Sequence, residues 1–452
     1  MSAALTGSGP VAIVRPAARL RGELRLPGDK SISHRALMLA LLADGESLVE
    51  GAGDGADVRS TASIAGALGA RVERVDRPAD AGGTVDYVVR SPGADGLRAP
   101  AGALDCGNSG TSMRLFAGIL AGLPMTAVLD GDASLRGRPM ARIIEPLRRM
   151  GAVLHARHDD SLPPVTVVGC TPLRAVDVTT PVPSAQVKSA ILLAGLRADG
   201  ETTVREAVAT RDHTERMLRA RGIGVRTTGS GGQVVVSITG GGSVAAGDVR
   251  VPGDVSAAAF WLVAGALHQD AELILRGVGV NPTRRAAIDL LRAMGADIEE
   301  HLVGGSSGDT GEPIADLTVR SSALHGIDLA PWDVAAAIDE IPVLCLAAAG
   351  ARGTTTMRGA GELRHKESDR IAGIVAGLTA LGAKIEVEGD DLTIRGGGLL
   401  AGASVDSLDD HRLAMTFAIA GLIANGETSV SRPGSAGISY PGFFADLERI
   451  RA

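Results

Sequence analysis

The most regular feature of this chain is an apolar phrase that returns six times: RALMLALLADGESLVEG from residue 35, RLFAGILAGLPMTAVLDG from 114, SAILLAGLRADGETTVREA from 189, AAFWLVAGALHQDAELILRGV from 258, IPVLCLAAAGARGTTTMRGA from 341 and RLAMTFAIAGLIANGETSVSRP from 412. Each copy opens on a run of small apolar residues with the length of a buried helix. It then passes through a Gly or Asp turn and continues into alternating Thr, Val and Leu, the period-two pattern of a half-buried strand. A second helix is expected to follow, because IAGALGARVE, PLRRMGAVLH, LLRAMGADIEE and LTALGAKIEVEG each close on Gly-Ala ahead of another strand. Glycine is the favoured residue just past a helix end. The pattern predicts an α/β protein in which a strand, helix, strand, helix, strand unit is repeated six times.

Two similar turns divide this series into threes, LPGD at 26–29 and VPGD at 251–254. The expected domains are 30–250 and, from both ends of the chain, 1–29 with 251–452. The crossings near 27–30 and 251–254 would then act as hinges, and hinged domains commonly hold small ligands between them. A chain of 452 residues exceeds what one core usually accommodates, which supports two domains. The long period and the 61 glycines argue against a helical solenoid.

Charge and composition narrow the function. The net charge is −7, with no basic tract and no interleaving of basic and aromatic residues, so a nucleic-acid surface is not expected and any anion site must be local. The start lacks the charged and apolar regions of a signal peptide, and stretches such as AAAFWLVAGAL are too short to span a bilayer. Cys106, Cys170 and Cys345 have neither disulfide-framework nor zinc spacing. A cytoplasmic location without membrane contact is the expectation.

Polar residues gather at the beginnings of the apolar helices: GDKSISHR before the first, DCGNSGTSMR before the second, PSAQVKS before the third and DDHR before the sixth. A helix N-terminus offers unpaired N–H groups and the positive end of its dipole, which suits an anion. Taken singly, Ser31, Thr111, Ser184 and Asp410 can be read as simple N-caps. GDKS also lacks the spacing of a P-loop. The conjunction is more specific, since Lys30, Arg35, Arg138, Arg370 and Arg412 all sit beside Gly, Pro or helix-start signals, where guanidinium groups can grip phosphate or carboxylate.

Two acidic stretches add proton chemistry. Asp339 and Glu340 interrupt the apolar run AIDEIPVL, which is costly unless they are paired or functional, and a carboxylate placed so can act as a general base. In LRHKESDRI, Lys366, Glu367, Asp369 and Arg370 alternate in sign, a pattern equally suited to a salt-bridged helix start. His34, His213, His365 and His411 do not share a helix face as metal ligands would, so no metal site is expected. Cys106 has no adjoining base and is read as a buried structural thiol.

The successive motifs LPGDKSISHRALMLA, DCGNSGTSMRL, GRPM, PSAQVKSAILLAG, TRDHTERML, IDEIP, HKESDR and DDHRLAM resemble, in order, those of the 5-enolpyruvylshikimate-3-phosphate synthases, and RDHTERML resembles the bacterial class II branch. The resemblance implies a two-domain inside-out α/β barrel, with three βαβαββ units per domain. It also implies transfer of the enolpyruvyl group of phosphoenolpyruvate to the 5-hydroxyl of shikimate 3-phosphate, without metal or organic cofactor, by a monomer. Carried over by motif, shikimate 3-phosphate would be held by Lys30, Ser31, Arg35, Ser184, Ala185, Gln186, Arg211, Asp339 and Lys366. Phosphoenolpyruvate would be held by Lys30, Gly110, Arg138, Gln186, Arg370 and Arg412. Asp339 would accept the hydroxyl proton, Glu367 would protonate the vinyl carbon, and Lys30 would assist both substrates.

The chain departs from the family pattern at two places. Ala185 stands where many members carry a second Ser, so a contact there is expected through backbone. Ile438, ahead of YPGFF, stands where some members have a Lys near phosphoenolpyruvate, and that contact is expected to be absent or supplied by another residue. The sister family, UDP-N-acetylglucosamine enolpyruvyl transferase, fits less well: it has Lys-Asn in place of Lys30-Ser31, and a loop Cys about where Ala133 stands. A non-catalytic anion-binding protein on the same scaffold is the alternative of another class. Retention of Asp339 and Glu367 argues against it.

Overall fold

The computed structural model describes residues 10–78, 81–230, 232–304 and 311–451, and divides the chain into two units. The first unit comprises Pro27–Pro252 with Gly304–Ile314, and the second comprises Met1–Leu26, Gly253–Val303 and Ala315–Ala452. The boundaries lie within a few residues of the two Pro-Gly-Asp turns. Residues 311–314, which sequence reasoning leaves with their neighbours, group with the first unit instead. A buried pair explains this, His213 Nδ1 lying 2.7 Å from Glu312 Oε1, together with a hydrogen bond of 3.0 Å from Arg216 to the Gly311 carbonyl. Residues 305–310 of the Gly- and Ser-rich insert lie outside the described residues.

The apolar runs form the helices Lys30–Leu42, Gly110–Ala121 and Ala185–Gly195 in the first unit, and Val255–Leu267, Ile341–Gly350 and His411–Ile423 in the second. They are buried on nearly every side, as expected of helices apolar all round. The more amphipathic second helices include Ala56–Ala67, Ala141–Arg149, His213–Ala220, Ala286–Ala293 and Arg370–Ala380. Just past them stand Gly69, Gly151, Gly222, Gly295 and Gly382, with φ from +82° to +114°, a conformation that L side chains resist.

Among the described residues, five repeats contribute four-stranded sheets with one strand order, and the sixth contributes a three-stranded sheet. In the second repeat, Leu104–Asp105 runs parallel to Thr126–Asp130, which pairs antiparallel with Leu162–Val168, itself antiparallel to Val153–Ala156. The N-terminal segment completes two sheets of the second unit. Leu20–Arg25 is the parallel edge of Ala271–Gly279, and Val11–Val14 pairs antiparallel with Thr428–Ser431. Strands such as Leu162–Val168 and Thr84–Pro92 alternate between covered and partly open positions, so within each unit the helices lie inside and the sheets outside. The two units have separate apolar cores, in which each fully buried Leu, Ile or Val stabilises by about 1.5–3 kcal/mol.

The first of the two turns has a steric reason. A Cβ on Gly28 would lie 2.1 Å from the Gly51 carbonyl oxygen, so only glycine lets the chain pass this strand before the first helix begins. Asp29 then caps that helix by accepting from Ile32 N at 2.9 Å, and Asp254 repeats the arrangement with Ser256 N at 2.7 Å. After the caps the two copies diverge: Lys30 and Arg35 correspond in position to Val255 and Phe260.

Candidate active site

In the first unit the helix starts carry the cations, but the capping differs from the sequence reading. Asp29, Ser109 and Ser184 are the N-caps, accepting from Ile32 N, Ser112 N and Val187 N at 2.9, 3.0 and 3.4 Å. Ser31 and Thr111 lie one step inside their helices. Sequence alone cannot choose between adjacent cap-forming residues. The shift leaves both hydroxyls in the first turn, where the N–H groups are unpaired.

Lys30, about a quarter exposed, donates to Asp57 Oδ2 at 3.1 Å. Behind it a buried chain of hydrogen bonds runs from His34 Nδ1 to Thr61 (2.6 Å), to Ser112 (2.7 Å) and to Ser109 (2.8 Å), joining the first two helix starts. Burial pushes the His34 imidazole down to about 3, so it is neutral at working pH. Gly110 lies beside two arginines: a Cβ there would stand 2.8 Å from Arg114 Nη1 and 3.5 Å from Arg138 Nη1. Arg114 donates to Gln186 Oε1 at 2.6 Å, Gln186 donates to Thr111 at 3.0 Å, and Arg138 donates to Asn108 at 2.6 Å. The structure thus gathers Gly110, Arg138 and Gln186.

Arg35 is buried and held by neutral oxygens. Its Nε donates to Thr214 at 2.7 Å, Nη1 to the Ser31 carbonyl at 3.0 Å and Nη2 to Ser189 at 2.9 Å. Burial lowers the guanidinium to about 10, still charged at neutral pH, with Glu215 opposing the shift. Arg211 is half-buried two residues ahead of the helix His213–Ala220 and acts electrostatically on Arg35. Ala185 is the first residue of its helix, directly after the Ser184 cap.

In the second unit the acidic and basic motifs converge. Asp339 Oδ1 lies 3.6 Å from Lys366 Nζ and 3.8 Å from Arg370 Nη1, and Glu367 Oε2 lies 2.7 Å from Arg370 Nη2. Arg370 is pinned from behind by Asp410, whose Oδ2 accepts from Nε at 2.8 Å. Asp410 also caps the helix His411–Ile423 through Arg412 N at 2.8 Å and accepts from Ser368 at 3.0 Å. Arg412, 7% exposed, packs over the Phe260 ring with its guanidinium carbon 5.9 Å from the centroid. The position held by Arg35 in the first unit therefore serves here as an aromatic platform for an arginine from another repeat. Asp339 and Glu367 keep 23% of their side chains open to solvent, whereas Asp410 is closed off. Neighbouring Glu340 turns the other way, to Ser256 and to Arg284 at 3.6 Å.

The Asp410 carboxylate makes stability depend on acid. Burial alone would raise its pKa, but Arg370 holds it below the usual carboxylate value. A folded pKa lower than the unfolded one gives stability that is complete above the unfolded value, near 3.8, and lost as pH falls through the folded value. Asp410→Asn is expected to cost about 1.5–3 kcal/mol at pH 7, because it removes the buried charged partner of Arg370 while Glu367 stays 2.7 Å away. It should also flatten the loss of stability below about pH 4. Urea denaturation from pH 3 to 7, followed by fluorescence of the buried Trp261, measures both.

Several contributors were not visible beforehand. Asp57 and Thr214 meet Lys30 and Arg35 across 27 and 179 positions, separations that leave no local trace. Arg114 had a signal, being one helical turn beyond Gly110 on the same face. Cys106 and Cys345 are buried and their thiols are pushed up by desolvation, Cys345 to about 12, while Cys170 is also free. Ile438, at the position of the absent Lys, ends the short helix Pro433–Ile438 and is half-buried. Among the described residues no cluster of His, Cys, Asp or Glu is placed to hold a metal ion, and no helix is long and apolar enough to cross a membrane.

Cations and partly open carboxylates at helix starts define an α/β protein suited to small polyanions and to proton transfer. Residues 14–447 match the family model described as EPSP synthase (3-phosphoshikimate 1-carboxyvinyltransferase). The chain is 50% identical over 439 residues to the 3-phosphoshikimate 1-carboxyvinyltransferase of Gloeobacter violaceus, covering 97% of this chain and 98% of that one. It is 48% identical over 437 residues to the protein of the same name from Halorhodospira halophila, with 97% and 95% covered. The structure of EPSP synthase from Acinetobacter baumannii is similar at a TM-score of 0.85 and 40% identity, with 98% of each chain covered. The chain belongs to the EPSP synthase family.

Proposed function

We infer that these clusters bind the substrates and move the protons of a 3-phosphoshikimate 1-carboxyvinyltransferase. The 5-hydroxyl oxygen of shikimate 3-phosphate bonds to C2 of phosphoenolpyruvate, its proton goes to a base, and C3 takes a proton from an acid. The tetrahedral adduct then loses phosphate and one C3 proton, leaving the enolpyruvyl ether. The observation that carries this reading is the convergence of Asp339, Lys366, Glu367 and Arg370 within 2.7–3.8 Å of one another along the chain of contacts.

Asp339 serves as the base and Glu367 as the acid, each oriented by cations. Lys30, Ser31, Arg35, Ser184, Ala185, Gln186, Arg211, Asp339 and Lys366 take shikimate 3-phosphate. Lys30, Gly110, Arg138, Gln186, Arg370 and Arg412 take phosphoenolpyruvate. Fixed cations lower the cost of bringing two polyanions together and stabilise the charge that develops on the departing phosphate. From the family resemblance, the protein acts as a cytoplasmic monomer on these two small molecules.

The reaction run in deuterated water tests the chemistry. Addition followed by elimination places deuterium on the vinyl carbon of the product, whereas direct displacement of phosphate at C2, with C3 never protonated, leaves that carbon unlabelled and overturns the scheme. A second expectation concerns Gly110. Gly110→Ala puts a methyl group 2.8 Å from Arg114 Nη1, the movable end of a side chain, and 3.5 Å from Arg138 Nη1, so the fold should hold while the methyl crowds the groups proposed for phosphoenolpyruvate. A loss of about 1–2 kcal/mol of binding there is a roughly 5- to 30-fold rise in KM for phosphoenolpyruvate. The KM for shikimate 3-phosphate should hold, and steady-state kinetics with each substrate varied shows whether the effect is selective.

A further inference from the structure

We propose that Lys188 is a positioning residue for shikimate 3-phosphate, tying together the segments that present Arg35, Ser184, Ala185, Gln186 and Arg211. Its side chain is 1% exposed, so it acts through its neighbours. The ammonium lies 2.8 Å from Glu206 Oε2 and 2.8 Å from Glu215 Oε1, and donates to the Thr210 carbonyl at 3.3 Å. Each of these contacts leads to a residue assigned to shikimate 3-phosphate. Ser184, Ala185 and Gln186 occupy the same helix start, within one turn of Lys188. Thr210 precedes Arg211, and its hydroxyl donates to Glu206 Oε1 at 2.5 Å. Glu215 follows Thr214, whose hydroxyl accepts from Arg35 at 2.7 Å and is hydrogen-bonded to Ser189, itself an acceptor for Arg35 at 2.9 Å.

The electrostatics support placement over stability as the reason for the cluster. Burial alone would favour a neutral amine, but Glu215 and Glu206 more than offset it and hold Lys188 charged, above the usual lysine value. With Arg35 nearby, two cations face two carboxylates in the interior. Buried ionic groups of this kind seldom stabilise more than apolar residues of the same volume. They do fix mutual geometry, because each departure strands a charge. A displacement of about 1 Å at a binding group can cost on the order of 100-fold in function.

The test uses Lys188→Met with Glu206→Gln, which removes one charge of each sign, leaves Glu215 with Arg35 and keeps an acceptor for Thr210. The full-length double variant is expected to fold. Its Kd and KM for shikimate 3-phosphate should rise at least about tenfold. Phosphoenolpyruvate shares only Gln186 with these residues, so its KM should rise clearly less, by about threefold or below. Unchanged affinity for shikimate 3-phosphate in folded protein overturns the proposal, as does an equal rise in both KM values, which indicates a packing role only. Should the double variant fail to fold, Glu215→Gln retains an acceptor for Lys188 and is expected to show a smaller rise, again confined to shikimate 3-phosphate; no rise overturns the proposal. The inference rests on the substrate assignment above, and calorimetry on the unaltered protein separates the two. If that protein does not bind shikimate 3-phosphate the assignment fails, and if it binds while the variants match it only the role of Lys188 fails.

Discussion

Asp339→Asn is expected to lower kcat by roughly 10²- to 10⁴-fold while shikimate 3-phosphate still binds. Asparagine has nearly the same shape but does not take a proton from the attacking hydroxyl. The fold should persist: Asp339 is partly open, its contacts with Lys366 and Arg370 are 3.6 and 3.8 Å long, and Lys366 has a second carboxylate, Glu362, at 3.7 Å. Ion pairs of that openness contribute about 1 kcal/mol or less. Calorimetric binding of shikimate 3-phosphate beside steady-state turnover distinguishes a lost base from a lost binding group. A variant that binds tenfold worse and turns over normally would make Asp339 a binding residue only.

Glu367→Gln should be comparably severe, through the carbon end of the reaction. Glu367 is aimed by a contact of 2.7 Å with Arg370, and Arg370 is itself fixed by the closed-off Asp410. The amide retains an acceptor for Arg370, so the geometry should hold, but it cannot serve as a proton donor to C3. A fall of about 10²- to 10⁴-fold in kcat is expected, with little change in the KM for phosphoenolpyruvate. Deuterium entry at C3 should fall with it. Entry at the original rate, with turnover reduced, would assign the proton to another group and leave Glu367 as a brace for Arg370.

Much of the architecture was legible because it is periodic. The six buried helices, the strands that follow them and the glycines just past the second helices come from local repetition and backbone sterics, which a single sequence displays. The family motifs likewise place the candidate residues at helix starts. What was hidden depends on distant partners. Val11–Val14 closes a sheet with Thr428–Ser431, and nothing in either tetrapeptide names the other. Residues 311–314 leave their own repeat through the buried pair of His213 with Glu312 and the bond from Arg216 to the Gly311 carbonyl. Choosing Asp29 over Ser31, and Ser109 over Thr111, as caps turns on a shift of two residues in backbone geometry. The interior ties at Lys188 belong to the same class: the PSAQVKS motif shows the lysine, but Glu206 and Glu215 become its partners only in three dimensions.

Duplication also accounts for the unequal turns. The Pro-Gly-Asp phrase supplies an aspartate cap in both units; its glycine is sterically required at Gly28, whereas a Cβ on Gly253 would lie 3.3 Å from the Gly277 carbonyl oxygen. The charged residues after it occur once: Lys30 and Arg35 are the proposed substrate groups of the first unit, whereas Phe260 at the matching place in the second supports Arg412.

The most direct test is phosphate release from phosphoenolpyruvate by the purified protein, with shikimate 3-phosphate or UDP-N-acetylglucosamine as the acceptor. The account predicts stoichiometric phosphate and enolpyruvyl ether with shikimate 3-phosphate, and none with the nucleotide sugar. Release with the nucleotide sugar alone, or binding of shikimate 3-phosphate without release, would contradict it.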